Sequence, residues 1–397
     1  MHGGDILNDE LQEFVTDPSE PRVLDRRDIL KSVGALVGAS AISKPFSGLG
    51  SSAAAQNQPQ RAATGGLRKR MMGFMLPHEQ FRVTELLEFG VAAEQVGFDL
   101  LATSDHFQPW QANEGHSGQA WVTMGAIGQR TQRIWMGPTV TCPTFRYNPA
   151  VVAEAFASLS ILYPGRIFLG IGSGEALNEQ AAVGEWPKWQ ERSERLIEAA
   201  DIIRRLWTGE PISHQGKYYA VNARLYDPPA RQIPLLMAAN GPKAMLRCGR
   251  YADGLITDPK TWKQHKSEFE RGAREAGKDP SQMPVLVEQY VVVGDKKDAE
   301  QAAQLWRFGP KAFTTYYNVR DPQEIQRLAD KEVPLEKVYA DWPISEDAAV
   351  HVKTVTELFD SGVSIVNIHT GQQDQRRVIE FYGKQVLPRV KTADAAT

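Results

Sequence analysis

The sequence predicts an α/β chain folded as a (β/α)8 TIM barrel with insertions over its active face. Three observations carry this expectation. Between Arg70 and Val386, short apolar runs alternate eight times with amphipathic helical stretches, the order of a parallel sheet wrapped by helices. Residues able to do chemistry recur at one end of those runs. The second run, 98–103, leads into Ser104-Asp105-His106-Phe107-Gln108-Pro109-Trp110, where Pro109 stops regular structure. In a parallel barrel the C-terminal ends of the strands form the active face. Third, 397 residues, 42% hydrophobic and 23% charged, suit one large globular domain.

The strands are expected at 71–76, 98–103, 134–140, 166–171, 233–239, 254–257, 285–293 and 363–369. Helices are expected at 81–96, with Leu86, Leu87, Val91 and Ala92 on one face, and at 121–131. Others fall at 149–162 with Pro149 in its first turn, 189–207, 243–251 and 376–386. Residues 208–231 and 308–347 are too long for simple βα loops and are expected as insertions over the active face. The domain is expected to run from 66 to 397.

Residues 1–65 read differently. Arg26-Arg27 precedes Ile29-Leu30-Lys31, a weakly apolar run from Val33 to Ile42, and Ala53-Ala54-Ala55. This is the layout of a twin-arginine export signal followed by a disordered linker. It implies passage through the twin-arginine translocase to the periplasm, the cell envelope or beyond. The formal net charge of −3 offers no electrostatic case for nucleic acid. No apolar run reaches 18 residues. Cys142 and Cys248 give neither a disulfide framework nor zinc spacing, and no metal site is expected.

Further segments follow the strand ends: Met75-Leu76-Pro77-His78-Glu79-Gln80-Phe81, Thr139-Val140-Thr141-Cys142-Pro143, Gly172-Ser173-Gly174-Glu175-Ala176-Leu177-Asn178-Glu179 and Ala238-Ala239-Asn240-Gly241-Pro242. Together with Ser104–Trp110 and Thr144-Phe145-Arg146-Tyr147-Asn148-Pro149, these motifs resemble the luciferase-like barrel superfamily. More narrowly they resemble its coenzyme F420 (deazaflavin)-dependent glucose-6-phosphate and hydroxymycolic acid dehydrogenases. Asn113-Glu114-Gly115-His116-Ser117, Leu305-Trp306-Arg307-Phe308 and Glu336-Lys337-Val338 lean toward the hydroxymycolic branch. The resemblance spans about residues 71–390.

Oxidising an alcohol needs a base for the hydroxyl proton and an acceptor for the hydride. His106 is the natural base, since an unperturbed imidazole titrates near working pH. The resemblance implies that Trp110 sits against the reacting centre and that Glu175 and Glu79 deliver protons in the same pocket. Each Glu has a plainer reading as a helix N-terminal charge. The resemblance also implies cofactor contacts from Asp105, Thr139, Val140, Cys142, Ser173, Gly174, Asn178, Ala238, Ala239, Asn240 and Gly241. A non-proline cis peptide is implied at Thr139-Val140, and a homodimer is implied for the assembly. Arg146 meets an anionic cofactor tail or is solvated, and His369 lies at the pocket rim or in the core.

The expected function is an exported F420-dependent dehydrogenase of a small-molecule or lipid-borne alcohol. Alternatives are an FMN-dependent monooxygenase, an F420-dependent sugar-6-phosphate dehydrogenase and an exported binding protein. A sugar phosphate needs converging cations. Where the glucose-6-phosphate branch has three, this chain has the neighbourhood of Lys260-Thr261, then Tyr316, then Asp341. Lys311 and Arg320 are the basic residues able to compensate. The expected substrate is therefore a non-phosphorylated hydroxyl compound.

Overall fold

The computed structural model describes Gly66, Leu67 and residues 69–392. The twin-arginine stretch and the alanine triplet lie outside the described residues. The parallel strands are β1 (Met71–Leu76), β2 (Leu100–Thr103), β3 (Trp135–Pro138), β4 (Leu169–Ile171), β7 (Leu235–Ala238), β8 (Gly254–Thr257), β9 (Val285–Tyr290) and β10 (Ile365–His369). They are ordered β3-β2-β1-β10-β9-β8-β7-β4. The circle closes between β3 and β4 through single bridges, Met136 to Ile167 and Thr141 to Ile171. A two-stranded antiparallel hairpin, β5 (Ile212–Gln215) and β6 (Ala220–Ala223), stands apart.

The helices are α1 (Val83–Val96), α2 (Ala120–Arg130), α3 (Pro149–Leu162), α4 (Glu179–Val183), α5 (Trp189–Leu206), α6 (Pro242–Tyr251) and α7 (Pro259–Glu275). Then come α8 (Lys296–Leu305), α9 (Pro322–Glu332), α10 (Leu335–Val338), α11 (Ala348–Asp360), α12 (Gln375–Phe381) and α13 (Leu387–Thr392). Two of these, α7 and α11, complete the ring of barrel helices where the sequence suggests none, while α8 packs with the 308–347 insertion.

Strand alternation sorts the core into two layers. Met71 and Met75 of β1, Leu100 and Ala102 of β2 and Leu286 of β9 fill the barrel interior. Met72, Phe74, Leu76, Leu101 and Val287 pack outward against the helices. Six expected strands are shorter than read, among them 233–239 and 363–369, which begin at Leu235 and Ile365. The 98–103 run begins at Leu100, because Phe98 N–H closes the α1 terminus on Ala93 O at 3.0 Å. The 134–140 run spans only Trp135–Pro138, and the Thr139-Val140 peptide that follows is cis. The 166–171 run starts at Leu169, and 285–293 ends at Tyr290, after which Val292 bridges Ile344.

The two insertions differ in place. Residues 308–347 follow β9 and α8 and lie over the active face, where Ala176 N–H donates to Tyr317 O at 2.9 Å. Residues 208–231 do not start there. They follow α5 and precede β7, so they leave from the opposite end of the barrel. The hairpin climbs along α5, held by His214 Nε2 on Glu198 Oε1 at 3.0 Å. Only its tip reaches the active face, where Tyr219 Oη donates to Thr144 O at 2.9 Å.

Candidate active site

The loop after β2 holds His106 between two fixed partners. Its Nδ1 lies 3.2 Å from Gln108 O. A carbonyl oxygen only accepts, so Nδ1 carries the hydrogen and the neutral ring presents its lone pair at Nε2. That Nε2 lies 3.6 Å from Glu79 Oε1. Glu79, on the loop after β1, is buried, and its Oε2 accepts from Ser104 Oγ at 2.5 Å. Ser104 in turn accepts from His78 N–H at 2.9 Å. The result is a base backed by a carboxylate that is itself hydrogen-bonded.

Glu79 is not a helix-terminal charge: α1 begins four residues later and caps with Arg82 and Glu85. Glu175 opens the turn that leads into α4, its carbonyl accepting Asn178 and Glu179 N–H, and its Oε2 accepts from Asn178 Nδ2 at 3.2 Å. The Asn178 Oδ1 accepts Phe107 N–H at 2.8 Å and Gln108 N–H at 3.2 Å. Asn178 thus ties the His106 loop to the Glu175 turn, and it is buried. Trp110 is buried, 5.8 Å from the His106 ring centroid, and stacked on Phe308 at 4.8 Å.

Opposite lies a wall of small residues. A Cβ on Gly172 would meet Val140 Cγ2 at 2.5 Å and Ala238 Cβ at 3.9 Å. Gly174 has φ +74°, and a Cβ there would meet Glu179 Cγ at 2.7 Å and Cys142 Sγ at 2.8 Å, so both the backbone and the space require glycine. Thr139, Val140 and Ser173 are half-buried along this wall. The surface fits a flat ring, with Gly172 leaving room that any side chain would fill. Beyond it, Gly241 precedes α6 with no side-chain cap, and Asn240 is exposed. Helix-terminal N–H groups of this kind suit phosphate.

Several expected cofactor contacts take other work. The Asp105 carboxylate is fully occupied: Arg146 Nη2 at 3.0 Å, Tyr147 Oη at 3.1 Å and Thr141 Oγ1 at 2.6 Å. It braces the loop below His106. Arg146 is largely buried: its Nη2 also donates to Asp105 O at 2.8 Å and its backbone N–H to Glu179 Oε2 at 2.9 Å, while its Nε has no hydrogen-bond partner among the described residues. Burial raises the Glu179 carboxyl to about 7, against the pull of Arg146. Cys142 is packed beneath Gly174, and burial pushes its thiol well above the usual range, so it is an inert packing group. Ala239 belongs to the outer core, with its carbonyl on Thr257 Oγ1 at 2.8 Å.

Sequence reasoning missed Ser104, Glu114, Glu288 and Arg192. Glu114 is buried, accepts Gln111 N–H at 2.8 Å, and has one carboxyl oxygen without a partner. Burial, with the Glu79 charge beside it, pushes its carboxyl well above the ordinary range. Burial and the carboxylates of Glu288, Glu79 and Glu114 raise the Tyr290 phenol, which places all four groups around one pocket. Arg192 is buried, donates to Gly174 O at 3.3 Å and lies over Trp186 at 3.8 Å and Tyr317 at 5.3 Å. A legible signal existed for Glu288 alone, a charge at an inward position of an apolar strand.

The positions examined for phosphate cations do not converge. Lys260 and Asp341 are exposed, and Tyr316 is buried beside Glu332. Lys311 Nζ is held by Glu332 Oε2 at 2.6 Å, and Arg320 is exposed with its carbonyl on Gln108 Nε2 at 3.3 Å. Among the described residues, no group of three His, Cys, Asp or Glu is placed to hold a metal ion. A groove of about 640 Å³, lined by Trp262, Phe269, Val285 and Phe359, lies at the strands' N-terminal end, away from these groups.

The chain can now be set beside known proteins. It is 45% identical over 325 residues to an F420-dependent hydroxymycolic acid dehydrogenase of Mycobacterium tuberculosis, covering 81% of this chain and 89% of that one. It is 40% identical to an F420-dependent glucose-6-phosphate dehydrogenase of Microbacterium testaceum, covering 80% and 97%. A solved F420-dependent secondary alcohol dehydrogenase, in complex with an F420-acetone adduct, superposes with a TM-score of 0.77 at 35% identity, covering 81% and 99%. The family model described as luciferase-like monooxygenase matches residues 50–351. With that match and these identities, the chain belongs to the luciferase-like family.

Proposed function

We propose that this protein is an F420-dependent oxidoreductase that oxidises a hydroxyl-bearing carbon of a non-phosphorylated substrate to the carbonyl. The observation that carries the reading is the state of His106. Its Nδ1 hydrogen is held by Gln108 O, and its lone pair at Nε2 is exposed to the mouth beside Glu79. Relatives named F420-dependent dehydrogenases at 45% and 40% identity support the cofactor. So does the small-residue wall of Val140, Gly172 and Ala238.

The deazaflavin, when bound, supplies the hydride acceptor. The protein's own residues do the rest. His106 Nε2 takes the hydroxyl proton, and Glu79 stabilises the imidazolium so formed, with Ser104 holding the carboxylate in place. Trp110, locked between His106 and Phe308, closes the reacting end against water. Glu175, oriented by Asn178, is the carboxyl that would deliver a proton at the deazaflavin ring. The absence of converging cations at Lys260, Tyr316 and Asp341 supports a non-phosphorylated substrate. Phe107 and Phe313, both more than half exposed, suit a substrate with an apolar portion, such as a lipid-borne alcohol.

Fluorescence titration with F420 and with FMN tests the cofactor. Tight FMN binding with none for F420 would instead favour the monooxygenase reading. Efficient oxidation of glucose 6-phosphate would overturn the substrate class. Export by the twin-arginine route and assembly as a homodimer rest on the sequence and the family resemblance. Replacing Arg26 and Arg27 with Lys should leave folded precursor in the cytoplasm, and unchanged export would reject that route. Sedimentation of the purified protein decides the dimer.

A further inference from the structure

Strand β9 carries one residue that a buried strand does not explain. Leu286 faces the barrel interior while Val285 and Val287 face the helices, so alternation turns Glu288 and Tyr290 inward. Glu288 nevertheless keeps 22% of its side chain accessible. Helices close the outer side of this strand, so that accessible part opens on the barrel mouth.

The neighbouring strand supplies its partner. In the β9–β10 register Asn367 faces Glu288 and His369 faces Tyr290. His369 Nδ1 lies 2.7 Å from Glu288 Oε1. A carboxylate only accepts, so Nδ1 carries the hydrogen. The ring cannot turn: Tyr290 stacks on it at 4.3 Å and Trp306 meets it edge-on at 4.4 Å. Tyr290 is stacked in turn on Trp342 at 5.3 Å. His369 Nε2 is buried and has no hydrogen-bond partner among the described residues. The reaction assigned to His106 and Glu79 uses none of this.

A carboxylate inside a barrel is costly unless donors satisfy it. His369 serves one oxygen of Glu288, and the buried carboxyls of Glu79 and Glu114 lie close enough to act on Tyr290 beside it. Substrate groups that only accept, above all phosphate or carboxylate, are repelled there. Groups that donate are held. Resting on the function proposed above, we infer that Glu288, positioned by His369, determines specificity by accepting a hydrogen bond from a second hydroxyl of the substrate. The preferred substrates are then neutral compounds with at least two hydroxyls, one delivered to His106 and the other to Glu288.

Butan-2-ol, butane-1,3-diol and butane-2,3-diol share a skeleton and differ in the second hydroxyl. With F420-loaded enzyme, kcat/KM for one diol should exceed that for butan-2-ol by about tenfold or more, the worth of one hydrogen bond to a charged group. E288A should bring that ratio to about one, and E288Q, which keeps an acceptor oxygen, should retain part of it. H369F, which keeps the ring and removes the donor, should lower the ratio without abolishing butan-2-ol turnover. Saturation-transfer NMR of the same alcohols on cofactor-free protein reads binding alone, so it does not depend on the proposed reaction. Diol binding that disappears in E288A supports the inference even if no alcohol is oxidised, in which case the oxidoreductase reading fails by itself. Equal handling of butan-2-ol and both diols by the unaltered protein overturns the inference. So does an E288A that leaves the ratio unchanged.

Discussion

On the side of the mouth formed by β1, β2, β9 and β10, the strand ends carry Glu79, Ser104, His106, Glu288 and His369. On the side formed by β3, β4 and β7 they carry Thr139, Val140, Gly172 and Ala238, with a Cβ on Gly172 already too close to its neighbour. The first side is polar, hydrogen-bonded and able to move protons. The second is small and smooth apart from Glu175, which follows β4, and offers mainly surface. A barrel can hold both because each strand ends at the same face while contributing an independent loop. The division teaches that proton handling and ring binding are separable here, and variants on one side should spare the other.

The largest expected effect breaks the polar side alone. His106→Ala should lower kcat by about 10²–10⁴, the usual worth of general acid–base catalysis. F420 affinity, measured by fluorescence titration, should change little. Loss of both together would mean that the two sides are not independent.

Glu179 sharpens the comparison from beneath, because it joins Arg146 and Asp105 under the His106 loop while touching Gly174. Its folded pKa of about 7 lies above the ordinary 4.5, so the folded chain binds this proton more tightly than the unfolded chain does. The associated stability is fully present below about pH 4.5 and is lost as pH rises through 7, by up to about 3 kcal/mol. In urea unfolding, Glu179→Gln should lose less stability than the native protein between pH 5 and 8. Parallel pH curves for the two would contradict the assignment.

On the smooth side, Gly172→Ala places a methyl against Val140. Overpacking of this kind costs about 1–3 kcal/mol, so F420 affinity should fall by about tenfold while kcat at saturation is kept. The smallest effect is expected outside both sides. The Lys311–Glu332 pair is about one-third exposed at each end, and such pairs contribute about 0–1 kcal/mol. Lys311→Ala should leave turnover within about twofold. A large loss of activity would show that Lys311 contributes to substrate binding after all.

Much of the fold was legible from residue order, because each barrel strand is a short apolar run bounded by turn residues. Strand ends were less so. Phe98 and Val292 are as apolar as their neighbours, and only the α1 terminus and the Ile344 bridge remove them from the sheet. The hairpin at 212–223 was invisible because its burial is partial and its anchor, Glu198, lies on another element.

For the site, the residue order by itself determined which segments follow the strand ends and made His106 a candidate base, while the candidacy of Trp110, Glu79, Glu175 and Asn178 came from the family resemblance. It determined the demand for glycine at 172 and 174 only as a pattern. The tertiary structure decided what each polar group has left to offer. Asp105 and Arg146 read as cofactor ligands along the chain, yet in space they neutralise each other across 41 residues. Glu288 lies unremarked within an expected strand and His369 reads as a rim or core residue, yet they meet at 2.7 Å across 81 residues. Hydrogen bonds and charge pairs between distant residues depend on which strands become neighbours. Apolar periodicity records only which way a side chain faces, and that is why it could locate the site without apportioning its work.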